Sequence, residues 1–440
     1  MTREALALEI LHSLQARGHR ALFVGGCVRD RLLGITPKDY DVGTDARPDE
    51  IAGYFPGSQL VGAHFGVVLV RREPDVHVEV ATFRSEGTYS DGRRPDAVRF
   101  ESDPALDARR RDFTINALMQ DPFSGDVIDF TGGREDLKAR VIRAIGNPGD
   151  RFREDYLRML RAVRFAARLE FSIEPSTLAA IQIEAPSISR ISAERIRDEL
   201  IRILMEGNPR RGFELLDESG LLAHVLPEVK ALQGVAQPPE FHPEGDVWTH
   251  VLLMLEQLRK PTSTLALGVL LHDVGKPPTF TVSDRIRFNG HAEVGAKMTD
   301  HILTRLKLPN ESAEQVVSLV ANHMRFKDVP QMRLSTLKRF LGLPHFEEHL
   351  ELHRLDCLSS NGYTEAYNFV LEKIQEFGRE QLHPPRLLTG RDLIKAGYLP
   401  GPLIGKALEE AETAQLEGEI HTHEEAFELA RTVLDREKST

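Results

Sequence analysis

The sequence predicts an α/β (α+β) head followed by an all-α remainder. Three observations carry this. Residues 21–130 alternate turns with short runs rich in Val, Ile and Phe, namely ALFVGG, KDYDVG, FGVVLVRR, VHVEVATF and DVIDF. From about 134 to 226 the apolar spacing becomes helical and strand-like runs disappear. From 247 to about 380 further helical patterns follow, and these contain most of the histidines. Ahead of the head, MTREALALEILHSLQARGHR reads as an amphipathic helix with charges scattered through it, not as a signal peptide. QPPEFHPEGD (237–246) is rich in Pro and polar residues and reads as a linker. HPPRLLTG (383–390) marks a second break before a helical tail. The expected domains are therefore 1–140, 141–236, 237–382 and 383–440.

At 440 residues the chain is too long for one compact core. Its 41% hydrophobic and 28% charged residues are ordinary for a soluble protein, and no apolar run approaches the ~20 residues of a membrane span. Cys27 and Cys357 are the only cysteines, which excludes a disulfide framework and fits a reducing cytoplasm. The net charge of −11 argues against a nucleic-acid partner on average. Locally the balance reverses: Arg140, Arg143, Arg151, Arg153, Arg158, Arg161, Arg164 and Arg168 face only Asp150, Glu154 and Asp155. Such a basic face suits a phosphate-rich partner.

ALFVGGCVRDRLLG reads as strand, Gly-Gly turn and short helix. Gly25 and Gly26 would let backbone N–H groups approach a phosphate, and Arg29 falls on the first helical turn, where a guanidinium can grip phosphate oxygens. The stretch lacks both G-x-G-x-x-G and G-K-[ST], so by itself it reads first as an ordinary turn. In KDYDV, Asp39 and Asp41 are two apart and on a strand would share a face. Two such carboxylates repel unless a cation such as Mg²⁺ lies between them, and the pair could hold two catalytic metals. The bland reading is a pair of solvated acids at a strand end.

Taken together, GGCVRDRLLG…KDYD, RRDFTINAL (110–118), RFREDYLRMLRAVRFAARL (151–169) and ERIRDEL (194–200) resemble the class II tRNA nucleotidyltransferase and bacterial poly(A) polymerase family of the DNA polymerase β superfamily. The resemblance runs over about 1–226 and implies a mixed or antiparallel sheet in a nucleotidyltransferase head, then a helical neck. It assigns Gly25, Gly26 and Arg29 to the triphosphate and Asp39 and Asp41 to catalytic Mg²⁺. Glu79 stands on a strand where the superfamily often has a third carboxylate; a partly buried or surface-paired Glu is the other reading. Arg111 and Asp112 would contact the sugar and phosphate region, with Asn116 supporting them. DGRRPDAVRF (91–100) resembles the family's flexible head loop.

EDYLR bears on base choice. On one helix Asp155 and Arg158 are i and i+3 and adjacent, while Met159, Leu160, Val163, Ala166 and Ala167 form an apolar arc that leaves Arg158, Arg161 and Arg164 outside it. A carboxylate accepts from cytosine N4 or adenine N6, and a guanidinium donates to cytosine N3 or adenine N1. The pair would thus take CTP and ATP and reject UTP and GTP. A surface salt bridge is the alternative. In the resembling family the positions matching Asp155, Arg158, Arg161 and Arg164 contact the nucleotide. ERIRDEL is expected to support the neck, with Glu194 near Arg197 and Asp198.

In the next region His250, the pair His272-Asp273, His291, His323 and Asp356 follow the order H…HD…D. Imidazole and carboxylate ligands suit a divalent transition metal such as Ni²⁺ or Mn²⁺ with open positions. The order resembles an HD-superfamily metal-dependent phosphohydrolase, in which His291 and His323 would serve a second metal. A lone histidine is more often a core or surface residue. Lys276 would contact phosphate or cap a helix. The LPGP turn of the tail would expose a helix N-terminus to RNA phosphate or simply pack. The leading expectation is template-independent addition of CCA, or part of it, to tRNA 3′ ends from CTP and ATP. Poly(A) polymerase is the runner-up, with LVGAHFGVVLV (60–70) leaning towards the tRNA enzyme. A CC- or A-adding specialist, a hydrolase with an inactive head and a non-enzymatic RNA binder are the remaining readings.

Overall fold

The computed structural model describes residues 1–61, 66–87, 98–240 and 242–438. The body of the head-loop stretch (91–97) and residues 62–65 of LVGAHFGVVLV lie outside them. The chain divides into two compact units, Met1–Ala231 with Ile302–Leu308, and Leu232–His301 with Pro309–Thr440.

In the first unit the expected strand runs build one mixed sheet. Helix α1 (Arg3–Ala16) precedes β1 (Ala21–Val24); α2 (Gly26–Leu32) follows it, then β2 (Asp41–Thr44), β3 (Gln59–Leu60), β4 (Val67–Glu73) and β5 (Val76–Thr82). The order is β3-β4-β5-β2-β1, continued by the two short strands Met119–Gln120 and Val127–Ile128. Only β2 and β5 pair in parallel; the other neighbours are antiparallel. All four residues of β1 are buried, which is why ALFV reads as a continuous apolar run rather than an alternating one. Leu6, Ala7, Ile10, Leu11 and Leu14 of α1 are fully buried at i, i+3/i+4 spacing, each Leu or Ile contributing about 1.5–3 kcal/mol.

The neck begins with helix Pro148–Glu154 and continues as Leu157–Leu169, against which Ala193–Met205 and Pro209–Glu218 pack. The apolar arc Met159, Leu160, Val163, Ala166 and Ala167 has no exposed surface. The neck is not strand-free: Val141–Ile142 pairs in parallel with Ser172–Ile173. Runs of two residues carry no readable alternation, so the sequence gives no sign of them.

Among its described residues the second unit is helical apart from the hairpin Phe280–Val282/Ile286–Phe288 and the single bridge between Ala236 and Asp246. Its central helix, Ser263–Leu271, is buried at every position from Leu265 to Leu271. Around it lie Val247–Gln257, Asn310–Asn322 and Phe346–Ser359. The tail helices Pro402–Glu417 and His423–Lys438 pack through Ile404, Ala407, Ala411, Ala426 and Ala430. Among the described residues no helix is long and apolar enough to cross a membrane.

Candidate functional site

Each unit holds a cluster of chemically active side chains. In the first, a cleft of about 620 Å³ is lined by Gly25, Gly26, Arg29, Asp39, Asp41, Arg111, Asp112, Asn116, Asp155, Arg158, Arg161 and Arg164. Every candidate of the head and neck except Glu79 is in that lining. Glu79 stands directly beside Asp41 in the β2–β5 register.

The glycine turn has a specific backbone demand. Gly25 has φ +77° and ψ −131°, open only to glycine, and a Cβ there would sit 2.8 Å from Arg111 Nη1. Arg111 is held by Asp107, with Nε and Nη2 3.2 and 3.0 Å from Oδ2, and its Nη1 donates to Asn116 O at 3.3 Å. Burial works against its charge, but Asp107, Asp41 and Asp112 more than offset that and raise its pKa.

Arg29 is placed differently from a free phosphate grip. It is buried, donating from Nε to Asp30 Oδ1 at 2.8 Å and from Nη1 to Asn116 Oδ1 at 2.6 Å. Asn116 Nδ2 in turn donates to Asp112 Oδ1 at 3.0 Å, and Arg161 clamps Asp112 Oδ2 at 2.9 and 2.8 Å. A continuous polar chain, Arg29–Asn116–Asp112–Arg161, therefore ties the glycine-turn helix to the neck helix. Burial alone would raise the Asp112 carboxyl, yet Arg161 and Asn116 bring it down to about 2.

Asp41 opens β2, whereas Asp39 lies two residues before it, outside the paired strand, and both line the cleft. Asp39 is exposed and accepts from Arg3 Nη1 at 2.6 Å. Burial first, then the Glu79 and Asp39 carboxylates, push the Asp41 carboxyl up to about 6 against the pull of Arg111. These carboxylates are hard oxygen donors of the kind a divalent cation takes, although the three are not gathered within 4.8 Å of one another as the groups of the second unit are.

Asp155 and Arg158 do not sit i,i+3 on one helix. Asp155 is extended (φ −154°, ψ 103°) at the break between the two neck helices, and its Oδ1 accepts from Leu157 N at 3.1 Å. Its carboxylate is held by Arg195 at 3.2 and 2.7 Å, while Arg158 pairs with Glu154. Arg164 is buried, contrary to the arc that left it outside, and donates to Glu199 Oε2 at 2.8 Å and Glu206 Oε2 at 3.1 Å. Within ERIRDEL, then, Arg195 and Glu199 brace the neck, whereas Glu194 pairs with Lys307. Asp107, Arg195 and Glu199 escaped the sequence reading because only tertiary packing distinguishes them from surface charges.

The second cluster gathers His250, His272, Asp273, His291, His323 and Asp356, all expected, together with His242 and Glu244, which were not. Three groups could each hold an ion: His242/Glu244/His250, His250/His272/Asp273 and Asp273/His291/His323. The histidine tautomers are set by the backbone. Nδ1 of His272, His291 and His323 donates to the carbonyls of Val269, Phe288 and Val320 at 2.9, 2.9 and 2.7 Å. Each ring therefore presents its Nε2 lone pair. Nε2 of His291 and of His323 lie 3.1 Å apart and 3.7 and 3.8 Å from Asp273 Oδ1. Burial, then His272, pushes His323 down to about 3, which keeps that lone pair available. His272 Nε2 and Asp273 Oδ1 are buried without a well-formed hydrogen bond. Facing lone pairs and orphaned polar atoms are what a divalent metal would satisfy. Lys276 is buried with Nζ 2.7 Å from Asp273 Oδ2 and 2.6 Å from Gln237 Oε1. A cavity of about 1360 Å³ opens beside the cluster.

The comparisons with known proteins agree with this division. Residues 21–143 match the poly A polymerase head domain, 170–233 the probable RNA and SrmB-binding site of polymerase A, and 246–356 the HD domain. The chain is 34% identical to the CCA-adding enzyme of Levilactobacillus brevis over 97% of both chains. It is 35% identical to the A-adding tRNA nucleotidyltransferase of Deinococcus radiodurans, covering 92% of this chain and 94% of that one. The structure of the Bacillus stearothermophilus CCA-adding enzyme in complex with CTP is similar at a TM-score of 0.72 and 28% identity, over 99% of this chain and 98% of that one. The chain belongs to the tRNA nucleotidyltransferase family of the CCA-adding enzymes, with an HD domain joined to the nucleotidyltransferase head.

Proposed function

We propose that the protein adds CCA, or its terminal part, to tRNA 3′ ends, using CTP and ATP without a nucleic-acid template. The observation that carries this reading is that the glycine turn, the carboxylates and the Asp155/Arg158 pair converge on one cleft. Asp39 and Asp41, with Glu79 alongside, would hold Mg²⁺, which when bound activates the RNA 3′-hydroxyl and neutralises the departing pyrophosphate. The chain's own groups do the positioning. The backbone at Gly25 and Gly26 admits the triphosphate, Arg29 and Asn116 shape that turn, and Arg111, fixed by Asp107, supplies positive charge. Asp112 holds Arg161 at the floor, and buried Arg164, fixed by Glu199, stiffens the same helix. Arg195 aims Asp155 as an acceptor for an exocyclic amino group, and Arg158 aims a donor at the ring nitrogen beside it. Uracil and guanine present the opposite pattern and would leave both groups unpaired.

The second unit supports a separate reading as a metal-dependent phosphohydrolase. His250, His272, Asp273, His291, His323 and Asp356 would hold Mn²⁺ or Ni²⁺, which when bound makes a water nucleophilic at neutral pH. Against burial, His272 and then Lys276 hold the Asp273 carboxyl below its ordinary range, and Lys276 Nζ pairs with its Oδ2. A cytoplasmic tRNA-processing role is part of the same proposal.

The test uses purified protein, tRNA lacking its terminal CCA, Mg²⁺, and CTP and ATP separately and together. Products extended by C, C and A support CCA addition; extension by A alone on a tRNA already ending in CC assigns an A-adding specialist. Long A tails assign a poly(A) polymerase, and no incorporation with intact phosphohydrolase activity refutes the transferase reading.

A further inference from the structure

The segment 237–246 looks like a linker, but three of its side chains close over the histidine cluster. Gln237 is buried on Lys276, His242 lines the adjoining cavity, and Glu244 reaches His250. His250 differs from His272, His291 and His323. Those three donate Nδ1–H to a backbone carbonyl three residues earlier, whereas His250 has its Nδ1 2.7 Å from Glu244 Oε1, in ion-pair contact but not aligned as a hydrogen bond. Its Nε2 faces the centre, 3.1 Å from Asp356 Oδ1. The His250 ring is fully buried and the Glu244 side chain is 6% exposed.

We infer that Glu244 is a positioning residue of the metal centre, the carboxylate that fixes the tautomer and orientation of His250 so that Nε2 is its ligand atom. The inference rests on the phosphohydrolase reading of that cluster. A neutral imidazole has one lone pair. With Nε2 turned to the centre, Nδ1 carries the proton and faces Glu244 Oε1, so Glu244 serves His250 rather than holding a third ion with it and His242. His242 Nδ1 shares the same carboxylate oxygen at 2.9 Å, which keeps Glu244 turned towards His250. A carboxylate acceptor also makes the imidazole a stronger metal donor than a carbonyl acceptor does. The metal on the His250 side of Asp273 therefore depends on Glu244, while the metal on the His291/His323 side does not.

The test is calorimetric titration of the full chain with Mn²⁺ in an Asp41→Ala background, which takes the head carboxylates out of the count, comparing wild type at Glu244, Glu244→Ala and Glu244→Gln. The wild type is expected to bind two ions. Glu244→Ala is expected to weaken one step by about 10- to 100-fold and to leave the other within about 2-fold. Glu244→Gln keeps an oxygen acceptor and is expected to recover most of the loss. Equal weakening of both steps, or two unchanged steps in Glu244→Ala, overturns the inference. Three ions in wild type and two in Glu244→Ala also overturn it, by making Glu244 a ligand. A wild type that binds no Mn²⁺ sinks the phosphohydrolase reading itself, a different result from any of these.

Discussion

Replacing Gly25 by alanine separates backbone strain from loss of the nucleotide cradle. An alanine at φ +77°, ψ −131° costs about 1–3 kcal/mol of strain. Its Cβ would also meet Arg111 Nη1 at 2.8 Å, too close to be accommodated without moving the guanidinium off Asp107 and Asn116. If the transition state loses one charged contact of about 1.5–3 kcal/mol, kcat/KM for CTP falls by roughly 10- to 150-fold. Gly125 is the control: it has φ +79° and nothing within 4 Å of an added Cβ, so Gly125→Ala carries strain without touching the cleft. The assay is steady-state CMP incorporation into tRNA lacking CCA, with urea unfolding run in parallel. Both variants are expected to lose stability, and only Gly25→Ala to lose kcat/KM. If Gly25→Ala stays within about 2-fold of wild type, the cradle argument is wrong.

Other expectations follow from the same contacts. Asp112 is held at about 2 against an ordinary 3.8, so its pairing contributes about 2 kcal/mol of stability that is present above pH 4 and lost as pH falls through 2. Asp112→Asn should therefore melt well below wild type at pH 7, with the gap narrowing at pH 3; a gap equally wide at pH 3 contradicts the pairing. Arg195→Ala frees Asp155 to reorient and is expected to raise UMP incorporation relative to CMP by about tenfold, as should Arg158→Ala. Unchanged discrimination in both would remove the base-selecting role. His272→Ala is expected to abolish Mn²⁺-dependent phosphate ester hydrolysis while leaving CMP incorporation unaltered.

What was legible in the sequence was whatever is local. The strand–Gly-Gly–helix turn, the two aspartates, RRDFTINAL and the apolar arc of the neck helix are set by neighbours in sequence, and their residues meet in one cleft. The break at Asp155 was hidden because EDYLRMLRAVRFAARL has unbroken helical spacing; only the carboxylate's bond to Leu157 N and to Arg195 reveals it. Asp39 fell off the strand because pairing with β5 begins at Asp41. Asp107, Arg195 and Glu199 each look like one charge among many in charge-rich helices. Glu244 sits in a Pro-rich stretch whose composition signals a linker, although its side chain is packed against His250. Tertiary partners such as these leave no periodicity to read.

On the proposed function, the head carboxylates carry the transfer reaction independently of the histidine cluster. Single-turnover incorporation of CMP by Asp41→Ala, measured beside Mn²⁺-dependent hydrolysis by the same preparation, tests it most directly. Incorporation is expected to drop below detection while hydrolysis stays at the wild-type rate. Incorporation at a rate near wild type, or loss of both activities in a variant that melts normally, would contradict it.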